Sequence, residues 1–327
     1  MVAKPHSRFF FLAGWAIGLV TLLSLLSHYA WTPYLELASH FKLQYFGLSL
    51  LLAAALALAR TKQGLLLAAA CLALQVPDLL HWYLPAVKTG SSPALELRVL
   101  LLNVYRRNQA YESVLRLLQQ TQPDLAVLLE VNPAWLEPLQ RLQPTYPFLY
   151  STAVDRNFGI VLLSRFAAIE PVPAGPSLTT QRPYLHRNFT LQGQGFTLLA
   201  VHPDPPTPAL FEQRNQLFQE LSRSIQARTQ PLILLGDLNS TMWSPYYQKL
   251  VQETGLSDSR RGAGILPTWS PRGVSAYLPE LLAPLVQIPI DHCLVSPEIQ
   301  VAKTQTGSFV GSDHLPLLVD LRLPLPR

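Results

Sequence analysis

The stretch LILLGDLN, residues 232–239, begins as a short apolar run and ends in two polar side chains, Asp237 and Asn239. An apolar run of four to eight residues is typical of a buried strand, so the stretch predicts a strand that delivers a carboxylate and an amide at its end. The same arrangement recurs along residues 94–327. It places these further residues at strand ends: Asn103 after RVLLL, Glu130 after LAVLL, His202 after TLLAV, Asp291 and His292 after IPI, and Asp313 and His314 before LPLLV.

These strand ends predict a cluster of acids, histidines and amides along one rim of the sheets. One such residue alone is usually a cap or a turn former. Six strand ends of this kind in one domain are harder to explain in that way, because each desolvated carboxylate needs a partner. A divalent cation is a suitable partner for clustered acids and amides. The pattern therefore predicts a divalent-metal site.

The remainder of this region predicts many strands and two helices. Residues 110–121 and 208–228 carry apolar side chains at helical spacing. Residues 184–191 and 196–201 flank a Gln-Gly-Gln-Gly turn and predict a hairpin. Further strands are predicted over 97–102, 125–129, 159–163, 288–295, 301–307 and 315–321. Strands joined by both hairpins and helical crossovers indicate sheets covered by helices.

Composition and charge separate residues 1–93 from the rest. The chain of 327 residues is 49% hydrophobic and 14% charged, against about 25% charged in an ordinary soluble domain. This composition excludes intrinsic disorder and argues against a wholly soluble protein. The net charge of +5 belongs mainly to residues 1–93, which hold +4, whereas residues 94–327 hold +1. A nearly neutral second region weakens an interpretation of this basic chain as a nucleic-acid-binding protein.

Three apolar stretches predict a membrane anchor over residues 1–93. Residues 9–27 contain no charge and are long enough to cross about 30 Å of hydrocarbon at about 1.5 Å per residue. Residues 43–59 and 65–84 follow. A cleaved signal peptide is the weaker alternative for the first stretch, because a signal peptide has an apolar core of about 7–15 residues. Asp78 interrupts the third stretch near its end, and we interpret it and His81 as interfacial anchors rather than a transport path.

The basic residues of this anchor predict its orientation, since Lys and Arg collect on the cytoplasmic side. Three crossings then place residues 94–327 on the periplasmic, extracytoplasmic side of an inner (cell) membrane. If residues 65–84 only lie on the membrane surface, the domain is cytoplasmic instead. The residues that set this orientation are Lys4 and Arg8 before the first stretch and Arg60 and Lys62 before the third.

The order of the strand-end motifs resembles a known family. Asn, then LLE, a strand-end His, GDLN, IDH and SDH form the signature of the endonuclease/exonuclease/phosphatase superfamily, whose fold is DNase I-like. The resemblance covers about residues 97–322, and GDLN and SDHLP are its most specific parts. Residues 157–165, NFGIVLLSR, are similar to the N-x-G-x-x-x-x-S-R strand of the family. Membrane-anchored bacterial members look most similar overall.

The resemblance implies an α+β fold, a four-layer α/β/β/α sandwich over residues 94–327, preceded by the transmembrane helices. It also implies catalytic roles. Asp237 resembles the aspartate that positions or deprotonates the attacking water, and Asn239 would hold a phosphate oxygen or that water. His314 resembles the histidine at the scissile phosphate, and Asp291 resembles the aspartate that orients it. His202 lies where many members place a second histidine, near the leaving group.

The resemblance further implies the metal and substrate contacts. Glu130 resembles the Mg²⁺-binding glutamate of the family, with Asn103 beside it and Asp313 completing the metal shell; Mn²⁺ is an alternative ion. Asn157, Arg156 and Arg106 are the expected substrate contacts, although surface solvation is the alternative for each arginine. Because side chains alternate along a strand, Asp291 and His292 point to opposite faces, and His292 is expected to be structural.

The sequence thus predicts a Mg²⁺-dependent hydrolase of phosphoric ester bonds, most simply a phosphodiesterase that uses an activated water. The alternatives are a non-catalytic, membrane-tethered binding module on the same fold and, third, transport by the helices. Nucleic acid, lipid headgroup and sugar phosphate all stay open as substrates. Near-neutral charge argues against long nucleic acid, whereas a bilayer partner favours an envelope substrate. Cys71 and Cys293 predict neither a disulfide framework nor a thiolate metal site, and no protein partner is inferred.

Overall fold

The chain folds into a helical N-terminal region and an α/β region. The computed structural model describes residues 5–58, 62–85, 94–152, 159–169, 183–271 and 283–326. The first region contains α1 (Pro5–Leu26), α2 (Pro33–Ser39), α3 (Lys42–Leu58) and α4 (Lys62–Leu80). Helices α1, α3 and α4 pack against one another and overlap the three predicted apolar stretches. The short α2 was not predicted; Thr32 caps it by accepting a hydrogen bond from the Leu35 amide at 3.3 Å.

Length and composition test the membrane prediction only weakly. Helix α4 is long and apolar enough to cross a membrane. The pair α2 and α3, bent by 67°, passes the same test only if it counts as one span. Among the described residues, the apolar part of α1 is the shorter helix Phe10–Leu26. The three-span anchor and its sidedness therefore stay predictions.

Asp78 has a structural role that the sequence did not indicate. Its carboxylate lies 3.0 Å from Nζ of Lys42, at the start of α3, and 3.1 Å from Nε2 of His28, after α1. The Lys42 side chain is 1% exposed, and its Nζ also donates to the Ser24 carbonyl oxygen at 2.5 Å. Asp78 therefore joins the ends of three helices where they meet the α/β region, and its interfacial placement stays a prediction.

Two mixed sheets form the centre of the α/β region. The six-stranded sheet has the order β10-β11-β1-β2-β4-β3, and the five-stranded sheet has the order β5-β6-β7-β9-β8. The strands are β1 (Ala94–Asn103), β2 (Leu125–Val131), β3 (Phe148–Ser151), β4 (Gly159–Ser164), β5 (Tyr184–Leu191), β6 (Gln194–Val201), β7 (Leu232–Asp237), β8 (Ser257–Asp258), β9 (Asp291–Val295), β10 (Gln300–Thr306) and β11 (Leu317–Pro324).

Helices cover the outer face of each sheet. α5 (Tyr111–Thr121) and α6 (Pro133–Gln140) pack on the first sheet, whereas α7 (Phe211–Gln226) and α8 (Pro245–Thr254) pack on the second. Buried aliphatic side chains such as Leu101 and Leu235 fill the space between the sheets. The predicted four-layer α/β/β/α sandwich is confirmed.

The predicted elements are found with a few differences. The hairpin turns at Gln192 and Gly193, both with positive φ, as a tight two-residue turn requires. The strand predicted from residue 288 begins at Asp291. The short strands β3 and β8 were missed. Besides α2, the helices α6 and α8 were missed as well, because each has ten residues or fewer, too short for a clear helical period. Each begins at a capping side chain followed by proline, Asn132-Pro133 and Ser244-Pro245.

The topology brings the polar strand ends to one rim. β1 runs parallel to β2 and β6 runs parallel to β7, so the carboxyl ends of all four strands face the same way. β9 is antiparallel to β7, and its first residue, Asp291, pairs directly with the last residue of β7, Asp237. β11 is antiparallel to β1, so the segment before it, with Asp313 and His314, starts from the same rim.

Candidate active site

The centre of the rim is a histidine held between two carboxylates. Nδ1 of His314 lies 2.8 Å from Oδ2 of Asp291, and Nε2 lies 3.6 Å from Oδ2 of Asp237. All three side chains are at most 5% exposed. Thr268 and Ser312 support the arrangement, because the Asp291 amide donates to Oγ1 of Thr268 at 3.3 Å and the His314 amide donates to Oγ of Ser312 at 3.1 Å.

The two carboxylates keep the imidazole protonated. Burial by itself lowers the pKa of His314, but the charges of Asp291 and Asp237 outweigh it and raise this pKa to about 10. Burial likewise raises the pKa of Asp237, whereas the charge of His314 and a hydrogen bond from His202 lower it to about 2. At neutral pH the site therefore holds an imidazolium beside an ionised Asp237.

An amide joins Asp237 to the next carboxylate of the rim. Nδ2 of Asn103 lies 3.1 Å from Oδ2 of Asp237 and 3.1 Å from Oε1 of Glu130. Glu130 has φ +57, and the pairing of β2 with β4 shifts register between Leu129 and Val131. This bulge turns Glu130 out of the strand and toward the rim, as bulges beside functional sites commonly do. Three of the predicted residues are thus in direct contact.

The loop after Asp237 and the loop after His202 are tied together. The Asn239 amide donates to Oδ1 of Asp237 at 2.9 Å, and Asn239 Nδ2 donates to the Pro203 carbonyl oxygen at 2.9 Å. Nε2 of His202 lies 3.5 Å from Oδ2 of Asp237. Gly236 allows this approach, because a Cβ at that position would overlap the carbonyl oxygen of Val201. Asn239 takes φ +48, a conformation that asparagine tolerates better than most residues.

Other predicted residues lie beside the cluster or outside the described residues. Arg156 and Asn157 are among the residues that the structure does not describe. The Arg106 backbone amide donates to Oε2 of Glu130 at 3.2 Å, so Arg106 flanks the rim. Asp313 precedes His314, and its charge is one of those that raise the His314 pKa. The predicted substrate and metal roles of these residues stay predictions.

The rim has the donor chemistry of a divalent-cation site. Ligand atoms of Asp237, Asp291 and His314 lie within 4.8 Å of one another. A protonated histidine is not a metal ligand, so oxygens of the rim suit a cation better. Asp291 Oδ1 is buried and has no hydrogen-bond partner among the described residues, and the Glu130 carboxylate adds further oxygens, whereas Asn103 faces the carboxylates with its Nδ2. This oxygen-rich set fits a hard cation such as Mg²⁺.

A second layer of buried polar residues supports the site. Nε2 of His292 donates to the Ser240 carbonyl oxygen at 2.8 Å, and its Nδ1 lies 3.0 Å from Oδ2 of Asp258. Arg260 donates to the carbonyl oxygen of Asp291. His292 thus fixes the backbone at Ser240, as expected of a structural residue. Asp258 and Arg260 were missed, because nothing in SDSRR distinguishes them from a solvated loop.

Solved structures with this fold include bacterial and animal proteins. An endonuclease/exonuclease/phosphatase from Bacteroides vulgatus is 20% identical, with TM-score 0.58, over 70% of this chain and 100% of that chain. A Bacteroides thetaiotaomicron protein of the same description is 18% identical, with TM-score 0.55, over 72% and 100%. D. rerio TDP2, crystallised with a single-strand DNA product, is 16% identical, with TM-score 0.55, over 69% and 98%. At these identities the likeness shows the fold.

Sequence comparison identifies the family directly. No curated protein matches the chain. The model of the Endonuclease/Exonuclease/phosphatase family matches residues 100–314, about two thirds of the chain. This match begins in β1 and ends at His314, so it spans every strand end that forms the rim. On this match and the assembled site, the chain belongs to the endonuclease/exonuclease/phosphatase family.

Proposed function

We propose that this protein is a divalent-metal-dependent hydrolase that cleaves phosphodiesters by attack of an activated water. The observation that carries the proposal is the His314 imidazole ring held between the Asp291 and Asp237 carboxylates, beside the contact of Asn103 with Glu130. Family membership supports hydrolysis of phosphoric esters in general. The finer statement, a phosphodiester substrate and Mg²⁺, rests on the donor chemistry of the rim.

The charges at the rim suit the two proton transfers of ester hydrolysis. Asp237 is ionised and accepts the proton of the attacking water, and Asn239 aligns that water or a phosphate oxygen. His314 presents its charged Nε2–H to the phosphate and stabilises the developing negative charge, while Asp291 keeps its ring oriented. His202 lies on the other side of Asp237, where it can assist the leaving oxygen.

Glu130 and Asn103 would hold the cation, with Asp313 as a further ligand. When bound, a divalent cation such as Mg²⁺, or Mn²⁺ in its place, neutralises phosphate charge. Without it, the negative charge of Asp237 would repel an anionic substrate. Arg106, together with Arg156 and Asn157, would bind the phosphate from the outer side.

The substrate class that we propose is a small phosphodiester or a lipid headgroup rather than long nucleic acid. Residues 94–327 have a net charge of only +1, whereas long nucleic acid is bound through many cationic contacts to phosphate. The DNA product in D. rerio TDP2 shows what that protein binds, and it makes single-stranded DNA the first competitor to test against a lipid substrate.

The N-terminal helices support the further proposal of an inner-membrane tether with the α/β region on the periplasmic side. Their interior contains polar groups: Nε2 of Gln75 donates to Oγ1 of Thr21 at 3.0 Å and to Oγ of Ser49 at 2.9 Å. Their exterior is apolar, with Leu51 72% exposed and Leu66 71% exposed. Polar contacts inside and leucines outside are typical of helices that pack in lipid.

The test measures hydrolysis of bis(p-nitrophenyl) phosphate by the full chain in detergent micelles with Mg²⁺. Asp237→Asn and His314→Ala should each lower kcat about 10²–10⁴-fold, the usual contribution of one acid or base. Chelation by EDTA should abolish activity and added Mg²⁺ should restore it. Asp320→Asn is the matched control, because Asp320 pairs with Arg98 away from the rim. Unchanged kcat in both rim variants would refute the proposal.

A further inference from the structure

The N-terminal helices contact the loop that follows Asp237. We call residues 238–244 the Asp237 loop. Nδ1 of His40, just after α2, lies 3.1 Å from Oγ1 of Thr241, and the Thr241 amide also donates to Nδ1 at 3.4 Å. His40 is 3% exposed and Thr241 is fully buried. Thr241 is four residues from Asp237, so this contact fixes the backbone beside the proposed catalytic carboxylate.

A buried ion pair holds the end of the same loop. Oε1 of Glu36, on α2, accepts a hydrogen bond from Oγ of Ser244 at 2.7 Å, and Oε2 forms an ion pair with Arg214 on α7. Glu36, Ser244 and Arg214 are all completely buried. An ion pair without solvent cannot lose one partner without leaving a buried charge. The helical region therefore supplies the counter-charge that the α/β region requires.

A third contact comes from α4. Nε1 of Trp243 donates to the carbonyl oxygen of Asp78 at 2.8 Å, and Trp243 is 2% exposed. Asp78 is itself held by Lys42 and His28. The Asp237 loop is thus bound at Thr241, Trp243 and Ser244 by residues from two parts of the helical region, α2 with its C-terminal cap and α4.

The opposite side of the loop is held by the α/β region itself. His292 donates to the Ser240 carbonyl oxygen, next to Thr241. Between these contacts Asn239 keeps its positive φ and its amide hydrogen bond to Asp237. The position of Asp237 and Asn239 therefore depends on His40 as well as on His292. Displacement of a catalytic group by about 1 Å can cost about 10²-fold in rate.

We propose that Glu36 and His40 are positioning residues for the hydrolytic site, so that the N-terminal helices complete the active site in addition to tethering it. The inference rests on the proposed function, because it concerns the rate of the same reaction. It assigns the helical region a role that a simple anchor would not have. A tether could be replaced by any apolar helix, whereas these contacts depend on particular side chains.

The kinetic test compares three variants of the full chain in micelles with Mg²⁺ and bis(p-nitrophenyl) phosphate. His40→Leu should lower kcat about tenfold or more with a much smaller change in KM, because displacement of Asp237 and Asn239 acts mainly on the chemical step. His40→Gln, which can still pair with Thr241, should recover most of the rate. Gln75→Leu is the matched control: it removes a buried hydrogen bond of the helices that does not touch the loop, and kcat should not change.

Hydrogen exchange provides a readout that does not depend on activity. Peptides covering residues 238–246 should exchange faster in His40→Leu and in Glu36→Gln than in wild type or Gln75→Leu. If exchange and kcat are both unchanged in His40→Leu, the inference is wrong, whether or not Glu36→Gln folds. If the wild-type protein does not hydrolyse the ester, the proposed function is wrong, and His40 cannot be a positioning residue for that reaction. Faster exchange in His40→Leu would then show only that His40 holds the Asp237 loop.

Discussion

The two regions of this molecule differ in which side chains they bury and which they expose. Between the sheets the buried side chains are aliphatic, as with Leu101 and Leu235, and the polar groups collect at the rim. Inside the N-terminal helices the buried set includes Gln75, Thr21 and Ser49, while leucines such as Leu66 face outward. Each pattern suits a different solvent, since water drives leucine inward and lipid does not. The second pattern is the one expected if the helices lie in lipid, as we propose.

The largest expected difference between the regions is in how much stability the protein loses when a leucine side chain is shortened. Leu101→Ala should lower the free energy of unfolding by about 2–5 kcal/mol, because it leaves a cavity between the sheets. Leu66→Ala, at a side chain 71% exposed, should change the melting temperature little in micelles. Thermal unfolding of both variants in the same detergent measures the difference. Equal losses would mean that Leu66 is buried against protein.

A charge at the centre of α3 tests the tether itself. Leu51→Lys places a charge on a side chain that is 72% exposed, and a central lysine costs about 2.5–3.5 kcal/mol on insertion scales. The fraction of protein recovered with membranes should fall. Leu149→Lys, on the partly exposed β3, is the control and should leave that fraction unchanged. Full membrane recovery of Leu51→Lys would argue against α3 as a lipid-facing span.

A smaller effect concerns the buried charge at the rim. The pKa of His314 in the folded protein is raised to about 10 from 6.5. The protonated imidazole therefore stabilises the folded state fully below about pH 6.5, and this contribution is lost as pH rises through 10. Asp291→Asn removes the negative charge that contributes most to the raised pKa of His314. The difference in melting temperature from wild type should be largest near pH 6 and should shrink toward pH 10.

Asp320→Asn provides the control for this pH dependence. Asp320 pairs with Arg98, whose charge does not change between pH 6 and 10, so any difference in melting temperature should be constant over this range. A pH-independent difference for Asp291→Asn would mean that His314 does not carry the charge assigned to it.

The sequence predicted most of the strands and the rim residues because both depend on local patterns, whereas the short strands β3 and β8 were missed. An apolar run that ends in Asp237 or Glu130 indicates a strand end wherever the strand lies, and the order of the motifs indicates the fold. The short helices α6 and α8 were not predicted, because eight and ten residues are too few to show a helical repeat of apolar side chains. The bulge at Glu130 was not predicted either, because the register shift depends on how β2 pairs with the neighbouring strand β4.

What the sequence by itself determined was every strand except β3 and β8, the family and the members of the rim, since side-chain alternation and motif order act over a few residues. Only the tertiary structure decided that Glu36 pairs with Arg214, 178 positions away, and that His40 meets Thr241, 201 positions away. A lone buried charge or histidine has no local pattern, because its partner is supplied by packing between distant parts of the chain. The contact between the helices and the Asp237 loop is therefore a property of the fold.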